Sequence, residues 1–364
     1  MSAEGSSGMT QELDETKVEA FAGQMVGMLN DAMLALMTSI GHQTMLFDAM
    51  ADLPPSTSEE ISYAANLNER YVREWLGAMV VGGIVEYYPD GRTYSLPPEH
   101  AACLTRAAGP DNLAGATQLV PLLGNVEDGI VQSFRNGGGV PYPAYARFQQ
   151  FMAGESAQVY GTTLIETTLP LVPGLVERLE SGIPVADIGC GQGVAVNLMA
   201  QAFPNSRFVG HDLSEEGIAP ARAEAERRGL ENARFELRDV TTLDERERYQ
   251  LIMAFDVIHD LAHPARVLRN IFDALGPGGT FLMVDVAASS HLHENVEHPL
   301  GPFLYTVSTM HCMTVSLAQG GVGLGTVWGE QTARQMLADA GFGKVEVAQV
   351  EGDILNNYYI ASKV

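Results

Sequence analysis

Basic residues are scarce in this chain. Its 364 residues hold 21 Lys and Arg against 45 Asp and Glu, a formal charge of −24. Such a chain repels phosphate backbones and anionic lipid, so neither nucleic acid nor a membrane surface is an expected partner. Cysteine is scarce as well. Cys103, Cys190 and Cys312 stand far apart and form no metal-binding spacing, which excludes a disulfide framework and points to a reducing cytoplasm. No unbroken apolar run reaches the roughly 18 residues that a spanning helix needs, so no span is expected. The opening Met1-Ser-Ala-Glu-Gly-Ser-Ser-Gly8 lacks the basic and apolar regions of a signal peptide, and residues 1–15 read as a disordered lead. The chain as a whole is 46% hydrophobic and long enough for two domains.

The most informative stretch is Val185-Ala-Asp-Ile-Gly-Cys-Gly-Gln-Gly193. An apolar β-type segment, Ile183 to Ile188, runs into three glycines at alternate positions, and a helix-like run begins at Val194. Strand, glycine turn and helix open a nucleotide-binding crossover unit. Glycine removes the side chain where backbone turns sharply or approaches a ligand closely. The spacing is G-x-G-x-G, not the dinucleotide G-x-G-x-x-G. Asp187 also sits two places before the first glycine. A carboxylate there attracts an ammonium or sulfonium and repels a pyrophosphate, which favours S-adenosylmethionine (SAM) over NAD.

Four further strands follow, each ending in an acid: Arg207–Asp212, Ala233–Asp239, Tyr249–Asp256 and Gly279–Asp285. Acids at the carboxyl ends of parallel strands stand where an open α/β sheet binds its ligands. A lone Asp there is more often a helix cap; a series in this order is harder to assign to capping alone.

On these residues the stretch from about Gly182 to Val364 resembles a class I SAM-dependent methyltransferase. The Asp187–Gly193 turn, Asp212, Asp239-Val240 and Leu275-Gly-Pro-Gly-Gly279 fall in that family's order. The resemblance implies an α/β fold with a seven-stranded Rossmann-like sheet, with Lys344–Val350 and Asn357–Ser362 as its last strands. It implies that Gly189 and Gly191 pass beside the methionine part, that Asp212 holds the ribose, and that Asp239 meets the adenine amine. Asp187, Gly193, Leu213, Val240 and Phe255 complete the expected cofactor set.

The N-terminal part reads differently. Phe21, Met25, Met28, Leu29, Met33, Leu36 and Met37 recur at helical spacing, as core or as a dimer seam. Gly41 is expected to break that helix. Ser58 opens another as its cap, and Asn68 caps a third that carries Tyr71, Trp75, Leu76 and Met79 on one face. A hairpin turning at Asp90-Gly91 then completes a winged helix over 16–100. Between Ala51 and Leu96 the only bases are Arg70, Arg73 and Arg92, too few for a DNA reader. The segment resembles the dimerisation domain of small-molecule O-methyltransferases and winged-helix bacterial methyltransferases, which implies a homodimer through the N-terminal helices. Residues 101–181 read as a helical connector whose Tyr142, Tyr145, Phe148, Phe151 and Tyr160 roof a cleft, and about 288–328 as a lid insert. His291, His293, His298 and His311 read as solvated loop histidines, and no metal is expected.

Transfer to a hydroxyl needs a group to remove its proton. His259, in Phe255-Asp-Val-Ile-His-Asp260 just past a strand, is the candidate base, because an imidazole titrates near neutrality. Small-molecule O-methyltransferases carry His-Asp-Trp at this place, with the His as base and a later carboxylate orienting it; Asp285 occupies the comparable position. The chain departs in having Leu261 for the Trp and Asp for the family's Glu. The expected acceptor is a small, apolar or aromatic hydroxyl compound. N- or C-methylation without a base, and a SAM-binding regulator, stay open.

Overall fold

The structure, a computed structural model, describes residues 13–363. Its contacts divide the chain into two compact units, one ending at Val120 and one beginning at Pro121. The division falls inside the stretch 101–181.

The first unit opens with α1 (Glu15–Gln43), capped by the Asp14 side chain on the backbone N–H groups of Thr16 and Lys17. Helix therefore begins at the end of the expected lead, whose residues 1–12 lie outside the described range. Gly41 does not break α1. It is small because a Cβ there would lie 2.6 Å from the Trp75 ring and 2.7 Å from that of Phe47. Next come α2 (Leu46–Ala51), α3 (Ser58–Ala64) and α4 (Glu69–Val81). Thr57, not Ser58, caps α3, in a reciprocal box with Glu60. Asn68 caps α4 as expected. The buried face of α4 is Val72, Trp75, Leu76 and Met79. Tyr71 lies outside it and is exposed, because the i, i+3, i+4, i+7 stripe starts one residue later. β1 (Glu86–Tyr88) and β2 (Thr93–Ser95) form the antiparallel wing, and α5 (Pro98–Leu104) follows.

Only the last turns of α1 are buried. Phe21, Met25, Met28, Leu29 and Met33 stand exposed along the rest, so within one copy the stripe is not core. Although no unbroken apolar run occurs, α1 is long and apolar enough, by length and composition alone, to cross a bilayer. Signal sequences and core helices pass the same test.

The second unit is built on one sheet. α6 (Leu119–Gly124) straddles the division; α7 (Glu127–Asn136), α8 (Phe148–Thr163) and α9 (Leu175–Ser181) precede the sheet. Its strands are β3 (Pro184–Ile188), β4 (Arg207–Asp212), β5 (Ala233–Leu237), β6 (Tyr249–Phe255), β7 (Leu275–Val286), β8 (Lys344–Ala348) and β9 (Asn356–Ser362). They lie in the order β5-β4-β3-β6-β7-β9-β8, parallel except for β9, which runs antiparallel to both neighbours. α10 (Val194–Ala202), α11 (Glu215–Arg228) and α12 (Pro264–Ala274) link the parallel strands. α13 (Gly301–Val307), α14 (Met313–Ala318) and α15 (Gly329–Asp339) lie between β7 and β8.

Successive strand residues point to opposite faces, and both faces are buried, as a parallel sheet requires. Val185, Leu251, Met253 and Leu282 pack with Val196 and Met199 of α10 and Ile218 of α11. Ala186, Ile252, Ala254 and Phe281 pack with Val267 and Ile271 of α12 and Leu337 of α15. β3 has β4 on one side and β6 on the other. The chain direction switches there, and the crevice beyond the carboxyl ends of β3 and β6 is where such a sheet takes a ligand.

Candidate active site

The glycine turn occupies that crevice. Gly189 and Gly191 have φ of 70° and 51°, values that cost a side-chain-bearing residue strain. A Cβ on Gly189 would also overlap Val257. Gly191 N–H donates to Asp212 Oδ2 at 2.8 Å, and Ser214 N–H donates to Asp212 Oδ1 at 2.8 Å. The acid at the tip of β4 thereby holds the turn beside β3. Gly193 serves packing, since a Cβ there would overlap the Phe235 ring.

Near the carboxyl ends of β3 and β6 two carboxyl groups each bury one oxygen that has no partner. Asp187 Oδ1 and Asp256 Oδ1 are buried and make no hydrogen bond. Burial, then the neighbouring Asp212, pushes the Asp187 carboxyl up to about 8. Burial, then Asp285, pushes Asp256 up to about 7, with His259 acting the other way. Asp256 also has a positive φ of 51°, unusual away from glycine. A cationic ligand fits these groups, because a positive charge beside them favours their ionised form. Asp256 closed the fourth strand in the sequence pattern but was not among the expected site residues. The signal was its strand-tip position.

The remaining expected cofactor residues are spread along the same edge. Phe255 ends β6, its ring 4.9 Å from that of Tyr160. Leu213 is exposed just past β4. Asp239 is exposed beyond β5, where its Oδ1 accepts from Thr241 N–H at 2.8 Å, a capping bond. Val240 is buried and joins the sheet core.

The other half of the crevice centres on His259. It sits in a short turn of helix, Ile258–Asp260, directly after β6. Its Nδ1 lies 2.7 Å from Asp285 Oδ1, and both residues are buried. Trp328 Nε1–H donates to the same oxygen at 3.0 Å, so an indole reaches this acid although position 261 is leucine. In the neutral ring, the tautomer with its proton on Nδ1 suits this contact and leaves a lone pair on Nε2. Burial works to lower the His259 pKa, but the fields of Asp285 and then Asp260 outweigh it and hold it well above the usual histidine value.

The insert after β7 is helical, not a loop of solvated histidines throughout. His291 and His293 are exposed, but His311 is buried and stacks on Phe148, 3.9 Å between centroids and 17° from parallel. Tyr142 and Tyr145 meet His311 edge-on. The roofing aromatics of 142–151 and the insert thus form one aromatic cluster. A π turn over Ser308–Cys312 turns both His311 and Cys312 inward, a distortion common at functional sites. Three bonds tie the insert to the His259 turn: Ser316 Oγ donates to Leu261 O at 2.9 Å, Val322 N to Ala262 O at 3.1 Å, and Gly325 N to His259 O at 3.3 Å.

Strand order, a glycine turn held by a strand-tip acid and a cation-favouring carboxyl pair define the class I methyltransferase architecture. Comparison with known proteins agrees. A family model described as an Rv2258c-like winged HTH domain matches residues 32–106, and one described as a methyltransferase domain matches 179–351. The chain thus carries a methyltransferase domain preceded by a winged-helix domain, and its sheet has the fold of the class I SAM-dependent methyltransferases. A malonyl-acyl-carrier-protein O-methyltransferase of Bacillus cereus is 28% identical over 153 residues, 42% of this chain and 51% of that protein. A trans-aconitate 2-methyltransferase of Methylobacterium nodulans is 30% identical over 150 residues, 41% of this chain and 53% of that protein. The chain thus spans about half the length of these two relatives. Human N-acetylserotonin methyltransferase, solved with SAM, superposes with a TM-score of 0.67 at 16% identity, covering 98% of this chain and 99% of that one. At that identity the likeness shows the fold.

Proposed function

We propose that the chain transfers a methyl group from SAM to a hydroxyl of a small, apolar or aromatic acceptor, with His259 as base and Asp285 as the group that orients it. The observation that carries this reading is the buried His259–Asp285 pair at 2.7 Å, next to the cofactor crevice, with Nε2 left to take a proton. When bound, SAM supplies an electrophilic methyl group on a sulfonium. Asp187 and Asp256 favour the cationic cofactor. Its charge also works against the acids that raise the His259 pKa, which helps the imidazole to accept a proton. The aromatic cluster around Phe148 excludes water from the transfer and suits a flat apolar acceptor. An O-methyltransferase among the relatives supports oxygen as the target. The test is incubation with methyl-labelled SAM and a panel of phenols, anilines and carbon acids. Label on phenolic oxygen is expected. Transfer to nitrogen or carbon alone, or no transfer to any compound despite SAM binding, overturns the reading.

Cofactor affinity should depend on pH. Asp187, pushed to about 8, and Asp256, pushed to about 7, both hold protons near neutrality in the free chain. A cation favours their ionised forms, so binding releases protons and tightens as pH rises through about 7 to 8. Stability runs oppositely. A carboxyl whose folded pKa is raised stabilises the fold fully below its ordinary value of 3.8, and that contribution is lost as pH rises through about 7 to 8. Calorimetry in buffers of different ionisation heat reads the released protons, and thermal melts of the free chain read the stability. Flat affinity without proton release overturns the expectation.

The exposed stripe on α1 supports a homodimer through the N-terminal helices. Sedimentation of the intact chain is expected to show a dimer, and Phe21→Glu with Leu29→Glu a monomer, since two charges in an apolar seam oppose association. A monomeric parent chain ends this reading. Three free cysteines accord with a cytoplasmic setting.

A further inference from the structure

Around Nε2 of His259, the same nitrogen that the base reading uses, lies a cluster that proton transfer alone does not need. A ring nitrogen of His259, a carboxylate oxygen of Asp260 and Sγ of Cys312 all lie within 4.8 Å of one another. Asp285 occupies Nδ1, and Nε2 stands 3.4 Å from Asp260 Oδ1, so Nε2 is the nitrogen offered. His259 and Cys312 are buried. Asp260 Oδ1 and His311 Nε2 are buried without any hydrogen-bond partner. His311 backs the cluster, with Nδ1 3.8 Å from Asp260 Oδ2 and 3.7 Å from Cys312 Sγ.

We propose that His259, Asp260 and Cys312 form a three-ligand site for a divalent metal ion of the zinc class, whose fourth position is left to an oxygen ligand.

Four observations point the same way. The donors are one imidazole nitrogen, one carboxylate oxygen and one cysteine sulfur, whose thiol is pushed up to about 11 by burial and which a metal would bind as thiolate, the mixed set that zinc accepts and that calcium and magnesium do not favour. A carboxylate and a thiolate together balance a double positive charge. Ligand bonds of about 2.0–2.3 Å place tetrahedral donors about 3.3–3.8 Å apart, and the His259–Asp260 separation of 3.4 Å already fits. Finally, Asp285 on the other ring nitrogen is the outer partner that orients a metal-bound histidine and raises its basicity. The unpartnered Asp260 oxygen would then have its ligand. Three protein ligands and one open position is the pattern of a catalytic rather than a structural zinc.

Metal binding as such does not depend on the proposed methyl transfer to a hydroxyl; only the identity of the fourth ligand rests on that reading. If the acceptor hydroxyl takes that position, the metal lets it bind as its anion, the proton being shed to solvent before the aromatic cluster closes water out. Nε2 cannot bind a metal and take a proton at once, so occupancy decides which device operates.

The test uses the intact purified chain, stripped with a chelator and titrated with Co²⁺ and then Zn²⁺. About one ion per chain is expected, with a thiolate-to-cobalt charge-transfer absorption that Zn²⁺ abolishes. Cys312→Ser should remove that absorption and Asp260→Asn should abolish stoichiometric binding. Asp285→Asn should weaken affinity by about 10–100-fold, and the exposed pair His291→Ala with His293→Ala should change nothing. Thermal melts establish that each variant is folded. SAM titration of the same samples keeps the two readings apart, because loss of metal binding leaves cofactor binding in place. No stoichiometric metal in the parent chain, or an unchanged cobalt spectrum in folded Cys312→Ser, overturns the proposal.

Discussion

His259→Ala lowers kcat for a phenolic acceptor by about 10²–10⁴-fold, the usual worth of a positioned acid–base group, while SAM affinity stays within about threefold of the parent. The imidazole sits past β6, oriented through Nδ1 by the fully buried Asp285, whereas the turn that carries the cofactor is held by Asp212. Removing the ring leaves the cofactor turn intact and deletes only the proton acceptor. Asp285→Asn is a milder form of the same lesion, since an amide can leave the wrong tautomer on His259. Its effect should fall mainly on kcat. Stopped-time assays at saturating SAM, paired with calorimetric SAM titration, separate the two steps. A folded His259→Ala chain that turns over at the parent rate removes the base from the mechanism.

Gly189→Ala is expected to be the more damaging change for the cofactor. Gly189 has φ of 70°, and its missing side chain makes room for Val257. Val257 belongs to the segment that leads into His259, so one added methyl pushes the cofactor turn and the base apart. A residue forced into this backbone region costs about 1–3 kcal/mol by itself. The overlap adds to it, and about a 100-fold loss of SAM affinity together with a fall in kcat should follow. The control is Gly229→Ala, at φ of 67° with open space around it, which bears the strain without the overlap. Equal effects of both variants on SAM binding would mean that the Val257 contact does not matter.

The contrast between these two glycines shows what could be read from the chain and what could not. The parallel strands and the glycine turn were legible because short apolar runs ending in an acid and glycine spacing are local properties. The winged helix was legible in outline, with its details shifted. Tyr71 was placed on a face that begins at Val72, and Thr57 caps where Ser58 was expected. Gly41 read as a stop because helix propensity is local, yet its reason lies in a contact with Trp75 from another helix. The pairing of His259 with Asp285 was expected from family resemblance and not from spacing. Its extension to Asp260, His311 and Cys312 joins segments about fifty residues apart through a π turn, and no periodicity marks that. In sequence, His311 therefore reads as a solvated loop residue, although it is one of the most buried side chains in the insert.

The two walls of the crevice also differ in what they are made of. One wall is main chain and short acids at strand tips, which leaves little to vary. The other is assembled from residues 139–151 and the helical insert, joined by Val140 N–H to Thr314 Oγ1 at 2.8 Å and by the Tyr145 hydroxyl to Met310 O at 2.5 Å. Gly139 sits so close to the Thr314 carbonyl that no side chain fits between them. A graft of either segment alone from a cousin enzyme would therefore jam or gape, whereas transplanting both would carry a new acceptor preference across while the donor half stays as it is.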